Sequence, residues 1–219
     1  MEKSKSKQTL FSREAVLSSD AIIFDMDGTL YQLDGENGEM SGSSLETAIL
    51  QNSKEFIISR EGCGEEMARL LLDQGLADEI GISNFLAKRY EITRADYFNV
   101  AWNIDPGGIV NNFEMPVRVV KKLSSRGKKL ILVTAAPKVW QSLVIDFIGL
   151  TGYFEKIFTG ENYGRKEEVF RSLSREYGAS NLCSIGDQLA TDILPAQKVG
   201  INTLLINSSN DLAIIFERS

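Results

Sequence analysis

The sequence predicts an α/β fold, a Rossmann-like parallel sheet with helices on both faces, carrying a small α-helical domain inserted after the first strand. Three observations lead there. Short apolar runs end abruptly in polar residues, apolar residues at helical spacing separate those runs from residue 115 onward, and the stretch 33–111 shows helical spacing alone. Alternating strand and helix implies parallel strands joined by right-handed crossovers. In such sheets ligands sit beyond the carboxyl ends of the strands. The boundaries assign 1–32 and 112–219 to the α/β domain and 33–111 to the helical one.

Taken in order, Ala21 to Phe24 reads as a buried strand that delivers Asp25-Met26-Asp27-Gly28-Thr29 to the loop at its end. Asp34 to Ser44 is an acidic, glycine-rich flap, and Asp105-Pro106-Gly107-Gly108 is a matching turn on the far side of the insertion, so both borders have hinge chemistry. Between them, Leu45, Ile49 and Phe56; Met67, Leu70 and Leu71; Ile82, Phe85, Leu86 and Tyr90; and Tyr97, Val100 and Ala101 each fall on one helical face.

Beyond the insertion, the strand runs are Leu130 to Val133 before Thr134, Ile157 to Phe158 before Thr159, Leu182 to Ile185 before Gly186-Asp187, and Thr203 to Ile206 before Asn207. The helical stripes between them are Val117, Val120 and Leu123; Val139, Leu143 and Phe147; Val169 or Phe170 with Leu173 and Tyr177; and Ile193, Ala196 and Val199, closed by Gly200. Trp140, Phe147 and Phe154 read as core. The segment 211–219 has an apolar centre at Leu212 to Phe216 that fits neither helix nor strand.

Composition excludes several classes of function. With no histidine in the chain, a Ser-His-Asp or Cys-His nucleophile and a His-ligated zinc are ruled out, so carboxylates must carry any proton transfer. Thirty acidic against 24 basic residues, with no basic stripe, argue against nucleic acid and anionic membrane as partners. The two cysteines, Cys63 and Cys183, read as reduced thiols. The stretch MEKSKSKQTLFSREAVL lacks the apolar run of a signal peptide, and no stretch reaches the length of a membrane span, so a cytoplasmic protein is expected. Monomer and homodimer are equally compatible with the sequence.

Asp25-Met26-Asp27-Gly28-Thr29-Leu30 resembles the first motif, DxDGT, of the haloacid dehalogenase-like hydrolases. Three further elements stand in that family's order. Thr134 ends a strand as the second motif, Lys166 heads a helix as the third, and Gly186-Asp187-Gln188-Leu189-Ala190-Thr191-Asp192 matches the fourth, GDxxxxD. The resemblance spans nearly the whole chain. It departs at the third motif, where lysine is usually followed by proline and this chain reads Gly164-Arg165-Lys166-Glu167, which leaves Arg165 as a competitor for the same role.

The resemblance implies a phosphatase that uses Mg2+ and an aspartyl-phosphate. Phosphoryl transfer needs an in-line nucleophile and positive charge around the equatorial oxygens. Asp25 would attack phosphorus, splitting one hard hydrolysis into two easier steps, and Asp27 would act as general acid and then base. Asp25, Asp187, Asp192 and the backbone carbonyl of Asp27 would hold Mg2+, which prefers hard oxygen ligands, although Asp192 could instead orient Lys166 or a water at the metal. Gly28, Thr29, Thr134, Ala135 and Lys166 would bind the phosphate. The dehalogenase branch lacks the second acid of the first motif, so Asp27 favours phosphate chemistry.

The insertion between the first and second motifs resembles the helical cap that closes over small substrates, which implies a small phosphorylated metabolite: a nucleotide, a sugar phosphate or a phosphoglycolate-like acid. Tyr31, Arg60, Arg89, Tyr97 and Trp102 are candidate cap contacts, with Tyr97 and Trp102 reading more strongly as cap core. A phosphomutase of the β-phosphoglucomutase type and a non-catalytic binding scaffold are the competing readings.

Overall fold

The computed structural model describes residues 13–35, 38 and 40–216. Residues 36, 37 and 39 of the acidic flap, the N-terminal part of the signal-peptide reading and the last three residues of the 211–219 segment lie outside the described residues.

The centre of the molecule is a five-stranded, wholly parallel sheet. Strand β1 (Ala21–Phe24) pairs with β2 (Lys129–Val133) on one side and β4 (Leu182–Gly186) on the other. Strand β3 (Lys156–Phe158) lies outside β2, and β5 (Asn202–Leu205) outside β4, giving the order β3-β2-β1-β4-β5. Phe24 stands level with Leu132 and Ile185, so Asp25, Thr134 and Asp187 leave the sheet along the same edge. Each expected strand is present, within a residue or so of the expected bounds.

Period-two alternation sends neighbouring residues to opposite faces. Ile22, Phe24, Leu130, Leu132, Cys183 and Ile185 form one core with helices α5 (Glu114–Ser125) and α6 (Lys138–Phe147). Ala21, Ile23, Ile131, Val133 and Leu182 form a second core with α7 (Lys166–Tyr177) and α8 (Leu194–Lys198). These strands are apolar on both sides because helices cover both faces. The chain end also belongs to the first core: Ser209–Ile215 is a 3-10 helix that packs on α5 and buries Leu212 and Ile215, which accounts for the apolar centre of a segment whose short period matches neither template.

The insertion folds as four helices: α1 (Ser44–Glu61), α2 (Glu65–Ala77), α3 (Ile82–Tyr90) and α4 (Arg94–Ala101). Ser43 caps α1 by accepting the Glu46 N–H, and Thr93 with Asp96 forms a capping box at the head of α4. The two chains crossing the border meet as an antiparallel pair, with the Gln32 N–H donating to the Asn111 carbonyl at 2.8 Å and the reverse bond at 3.2 Å.

The helix faces differ from the expected stripes in three places. In α2 the buried set is Ala68, Leu71, Leu72 and Gly75, while Met67 and Leu70 are 52% and 49% exposed. The close approach of α3 selects the small residues, since a Cβ on Gly75 would stand 2.9 Å from the Phe85 ring. In α4 Tyr97, Phe98 and Ala101 point inward and Val100 is exposed. In α6 the buried face is Trp140, Gln141, Val144 and Ile145, one position on from the expected stripe. Phe147 is therefore not core but 44% exposed, edge-on to Phe113. Runs of adjacent apolar residues admit two stripes a residue apart, and packing chooses between them. Trp140 and Phe154 are buried as expected. No described helix is long and apolar enough to cross a membrane.

Cys183 lies inside β4, and burial pushes its thiol up to about 12, whereas Cys63 follows α1 at partial exposure. At pH 8 a disulfide reagent should therefore titrate one thiol quickly in the native protein and two after denaturation; prompt reaction of both in native buffer would contradict the closed central sheet.

Candidate active site

The loops after β1, β2 and β4 and the head of α7 converge at one end of the sheet, because parallel register brings their carboxyl ends level and β1 is the strand where the winding reverses. Asp25 is the first residue beyond β1. Its N–H continues the ladder to the Ile185 carbonyl at 3.0 Å, which fixes its backbone before its side chain enters the site.

Lys166, the first residue of α7, places its ammonium 2.5 Å from Asp25 Oδ1 and 2.7 Å from Asp192 Oδ1. All three side chains are close to fully buried. Burial alone would lower the lysine's pKa, but the two carboxylates raise it well above the ordinary value, so it stays charged. Asp25 is raised by burial against the pull of Lys166, with Asp192 and Asp27 pushing the same way. Arg165 is exposed.

Asp192 is carried by a π-helical turn, Leu189–Ile193, an insertion geometry often found at functional sites. The turn folds its carboxylate back beneath Gly186: a Cβ there would lie 2.5 Å from Asp192. Both Asp192 oxygens have donors, Oδ1 from Lys166 and Oδ2 from the Gln188 N–H at 3.0 Å. Asp187 stands nearby and accepts from the fully buried Thr29 hydroxyl at 3.4 Å. Burial, then Asp192, push Asp187 up to about 6. Gly28 has φ +80°, and a Cβ on it would meet Asp187 Oδ2 at 2.3 Å, so glycine is needed both for the turn and for the approach.

Oxygens of Asp25, Asp187 and Asp192 lie within 4.8 Å of one another. Three hard carboxylates against one ammonium leave the group with surplus negative charge, and the donor set fits a divalent cation such as Mg2+.

Asp27 is held from several sides. Its Oδ2 accepts from the Thr134 hydroxyl at 3.2 Å; its Oδ1 accepts from the Tyr31 hydroxyl and from Trp140 Nε1, the latter at 3.3 Å. Burial raises the Asp27 carboxyl, and the hydrogen bonds from Tyr31, Trp140 and Thr134 oppose that shift. Thr134 also takes the Ala136 N–H at 3.1 Å, and the Tyr163 hydroxyl donates to the Thr134 carbonyl at 2.6 Å.

A cavity of about 460 Å³ opens over these groups, with Asp25, Asp27, Ala135, Tyr163, Lys166 and Gln188 in its wall. Thr134, Thr29 and Gly28 are not in that wall: the Thr134 hydroxyl donates to Asp27, the Thr29 hydroxyl to Asp187, and Gly28 packs against Asp187. A larger groove of about 730 Å³ runs between α6 and the β3 edge, but it contains none of the converging acids.

The candidate cap contacts disperse. Tyr31 is fully buried against Asp27 and so is no cap contact, and Tyr97 is cap core, bonded to Ser53. Arg89 pairs with Glu61 at 2.8 Å, Trp102 packs edge-on against Phe98, and Arg60 lines a separate cap groove over Phe56. Residue spacing did not single out the Tyr31–Trp140 pair, whose members lie far apart in sequence; an aromatic two residues beyond the DxDGT turn was its only visible trace.

Comparison with known proteins identifies the family and the fold. The family model of the haloacid dehalogenase-like hydrolases matches residues 19–200. Among solved structures, a HAD phosphatase from Thermococcus onnurineus superposes with a TM-score of 0.57 at 21% identity, covering 85% of this chain and 86% of that one. A HAD family enzyme from Bacteroides thetaiotaomicron, solved in complex with magnesium and inorganic phosphate, gives 0.53 at 16% identity over 91% and 100%. A predicted phosphoglycolate phosphatase from Haemophilus somnus gives 0.52 at 17% over 86% and 85%. At such identities the likeness concerns the fold. No curated protein matches the chain in sequence.

Replacing Gly28 by Ala should lower the unfolding free energy by about 1–3 kcal/mol, because strain and the Asp187 contact add. Gly64→Ala, where a Cβ meets nothing within 4 Å and φ is −78°, should shift it by less than about 0.5 kcal/mol. Urea unfolding of both variants measures the difference, and equal effects would contradict the packing of the loop after β1 on Asp187.

Proposed function

The chain belongs to the haloacid dehalogenase-like hydrolases, and from that membership we propose that it is a Mg2+-dependent phosphatase acting on a small phosphorylated metabolite through an aspartyl-phosphate on Asp25. One observation carries the reading: a buried ammonium joins Asp25 to Asp192 at the floor of a cavity whose wall also contains a second carboxylate, Asp27. A nucleophile, a positive charge and a separate proton donor are the parts that phosphoryl transfer requires.

Asp25 attacks phosphorus as the ester P–O bond breaks, and the leaving oxygen takes the proton of Asp27. Asp27, now a carboxylate, accepts a proton from the incoming water while the bond from Asp25 to phosphorus breaks and inorganic phosphate is released. Lys166 remains charged throughout and faces the transferring group's oxygens. Its burial between two acids, against the exposure of Arg165, is the reason for giving it this role. Asp25, Asp187 and the Asp27 backbone carbonyl would hold Mg2+, which supplies charge neutralisation at the phosphoryl oxygens. Asp192, with both oxygens bonded, holds Lys166 in place and contributes to the metal site by charge. Ala135, in the cavity wall, would meet the phosphate, and the buried Thr134 hydroxyl would reach a phosphate oxygen only by exchanging its bond to Asp27.

Residues 33–111 act as the cap and 1–32 with 112–219 as the core, hinged where Gln32 pairs with Asn111. Closure would exclude bulk water while the phosphoenzyme exists, and reopening would release product. The cavity size suits a small metabolite rather than a folded phosphoprotein.

Asp25→Asn should reduce turnover by about 10⁴-fold or more in a chain that still folds, at a lower melting temperature because Lys166 loses one of its two carboxylates. Lys166→Ala should cost about 10²–10³-fold and Arg165→Ala far less; equal, mild effects would remove Lys166 from the mechanism. Mg2+ should raise the melting temperature of the wild-type chain by mass action, and Asp187→Asn should abolish that rise. The deciding experiment is phosphate release from nucleoside monophosphates, sugar phosphates, phosphoglycolate and an aryl phosphate, with Mg2+ and with chelator. Mg2+-dependent release establishes the activity, and absence of release from every ester, the aryl phosphate included, overturns it.

A further inference from the structure

We propose that Tyr31 and Trp140 are positioning residues for Asp27: together they hold its Oδ1 and so make Oδ2 the oxygen that delivers the proton to the leaving group. The inference rests on the phosphatase reading above and adds two residues that touch neither substrate nor metal.

Both aromatic side chains are fully buried, in separate elements. Tyr31 follows the turn after β1, and Trp140 sits in the first turns of α6. A buried phenol and a buried indole N–H each need a partner, yet that need alone does not bring both to one oxygen of one acid. Trp140 Nε1 lies 3.0 Å from the Tyr31 hydroxyl and 3.3 Å from Asp27 Oδ1, and the Tyr31 hydroxyl contacts the same Oδ1. The direction of the chain follows from the groups. An indole nitrogen only donates, so the Tyr31 oxygen accepts from Trp140 and its hydrogen goes to Asp27.

The Tyr31 hydrogen and the single indole hydrogen, the latter shared between the Tyr31 oxygen and Oδ1, leave no room at Oδ1 for a third. A proton on Asp27 must therefore reside on Oδ2, the oxygen beside Thr134. Oδ2 is thus the oxygen available to give its proton to the departing ester oxygen and later to take one from water. The pair also restrains the side-chain torsions of Asp27. Tyr31 is anchored by its neighbours: Gln32 pairs with Asn111 through the backbone and donates from Nε2 to the Gly28 carbonyl at 2.9 Å. A carboxylate on an unsupported loop would have to find this orientation afresh in each cycle.

The test separates proton delivery from general damage to the site. An alkoxide leaves poorly without protonation, whereas 2,4-dinitrophenolate leaves without help, and kcat/KM reports the steps up to departure of the leaving group. Tyr31→Phe and Trp140→Phe keep a ring in place and remove one donor each. Each should change the ratio of kcat/KM for a hydrolysed alkyl phosphate to that for 2,4-dinitrophenyl phosphate by about tenfold or more, against the alkyl ester. The Mg2+-induced rise in melting temperature should persist in both variants. An unchanged ratio, whether both esters slow equally or neither slows, overturns the proposal. Should Tyr31→Phe fail to fold, the Trp140→Phe ratio decides alone. Failure of the wild-type chain to hydrolyse any ester would instead bring down the phosphatase reading, and this inference with it.

Discussion

Lys166 is an ammonium ion held where water scarcely reaches, 10% exposed and within hydrogen-bond distance of two carboxylates from two different loops. A charge in that position is tolerable only while both partners are present. Removing one partner of a buried ion pair typically costs about 3–5 kcal/mol, because the other charge is stranded. The requirement ties three parts of the chain together: the loop after β1, the π-helical turn after β4 and the first residue of α7. The sheet brings these parts to one edge, and the ammonium determines how close they come. Asp192 has to fold back under Gly186, and glycine there is what lets it do so.

The same arrangement gives the two acids of the first loop different surroundings. Asp25 and Asp27 are two residues apart, yet their environments differ. Asp25 faces a cation and the other site carboxylates; Asp27 faces a hydroxyl, a phenol and an indole. The Lys166 ammonium pulls Asp25 toward its ionised form against burial and the neighbouring carboxylates, which raise it, and neutral donors around Asp27 orient its carboxyl against the upward push of burial. Two identical side chains thus acquire different chemistry from their neighbours. The crossing chains at Gln32 and Asn111 lie one residue beyond Tyr31, so the helical insertion is joined to the core close to the acid.

Much of this was legible in the residue order. Strands such as Ala21–Phe24 and Leu182–Gly186 announce themselves because a strand buried on both faces must be a continuous apolar run with a polar exit. The four acids and Lys166 were recognisable from motif order. The helix faces were less so. In α6, Val139, Trp140, Leu143, Val144, Ile145 and Phe147 offer two overlapping stripes, and the choice of Trp140 with Val144 was made by the sheet beneath. In α2 the deciding residue was Gly75, a small side chain whose value appears only when α3 lies against it.

By itself, then, the sequence determined the alternation of strand and helix, the place of the helical insertion and the acids that meet at the strand ends, because periodicity and local motifs are properties of neighbours along the chain. Tertiary structure alone decided that Lys166 rather than Arg165 is buried between acids, that both Asp192 oxygens are engaged, and that Tyr31 and Trp140 converge on one oxygen of Asp27. Those outcomes depend on which groups share a buried volume. Desolvation makes partners compulsory there, and no spacing rule records a partnership between residues that lie more than a hundred positions apart.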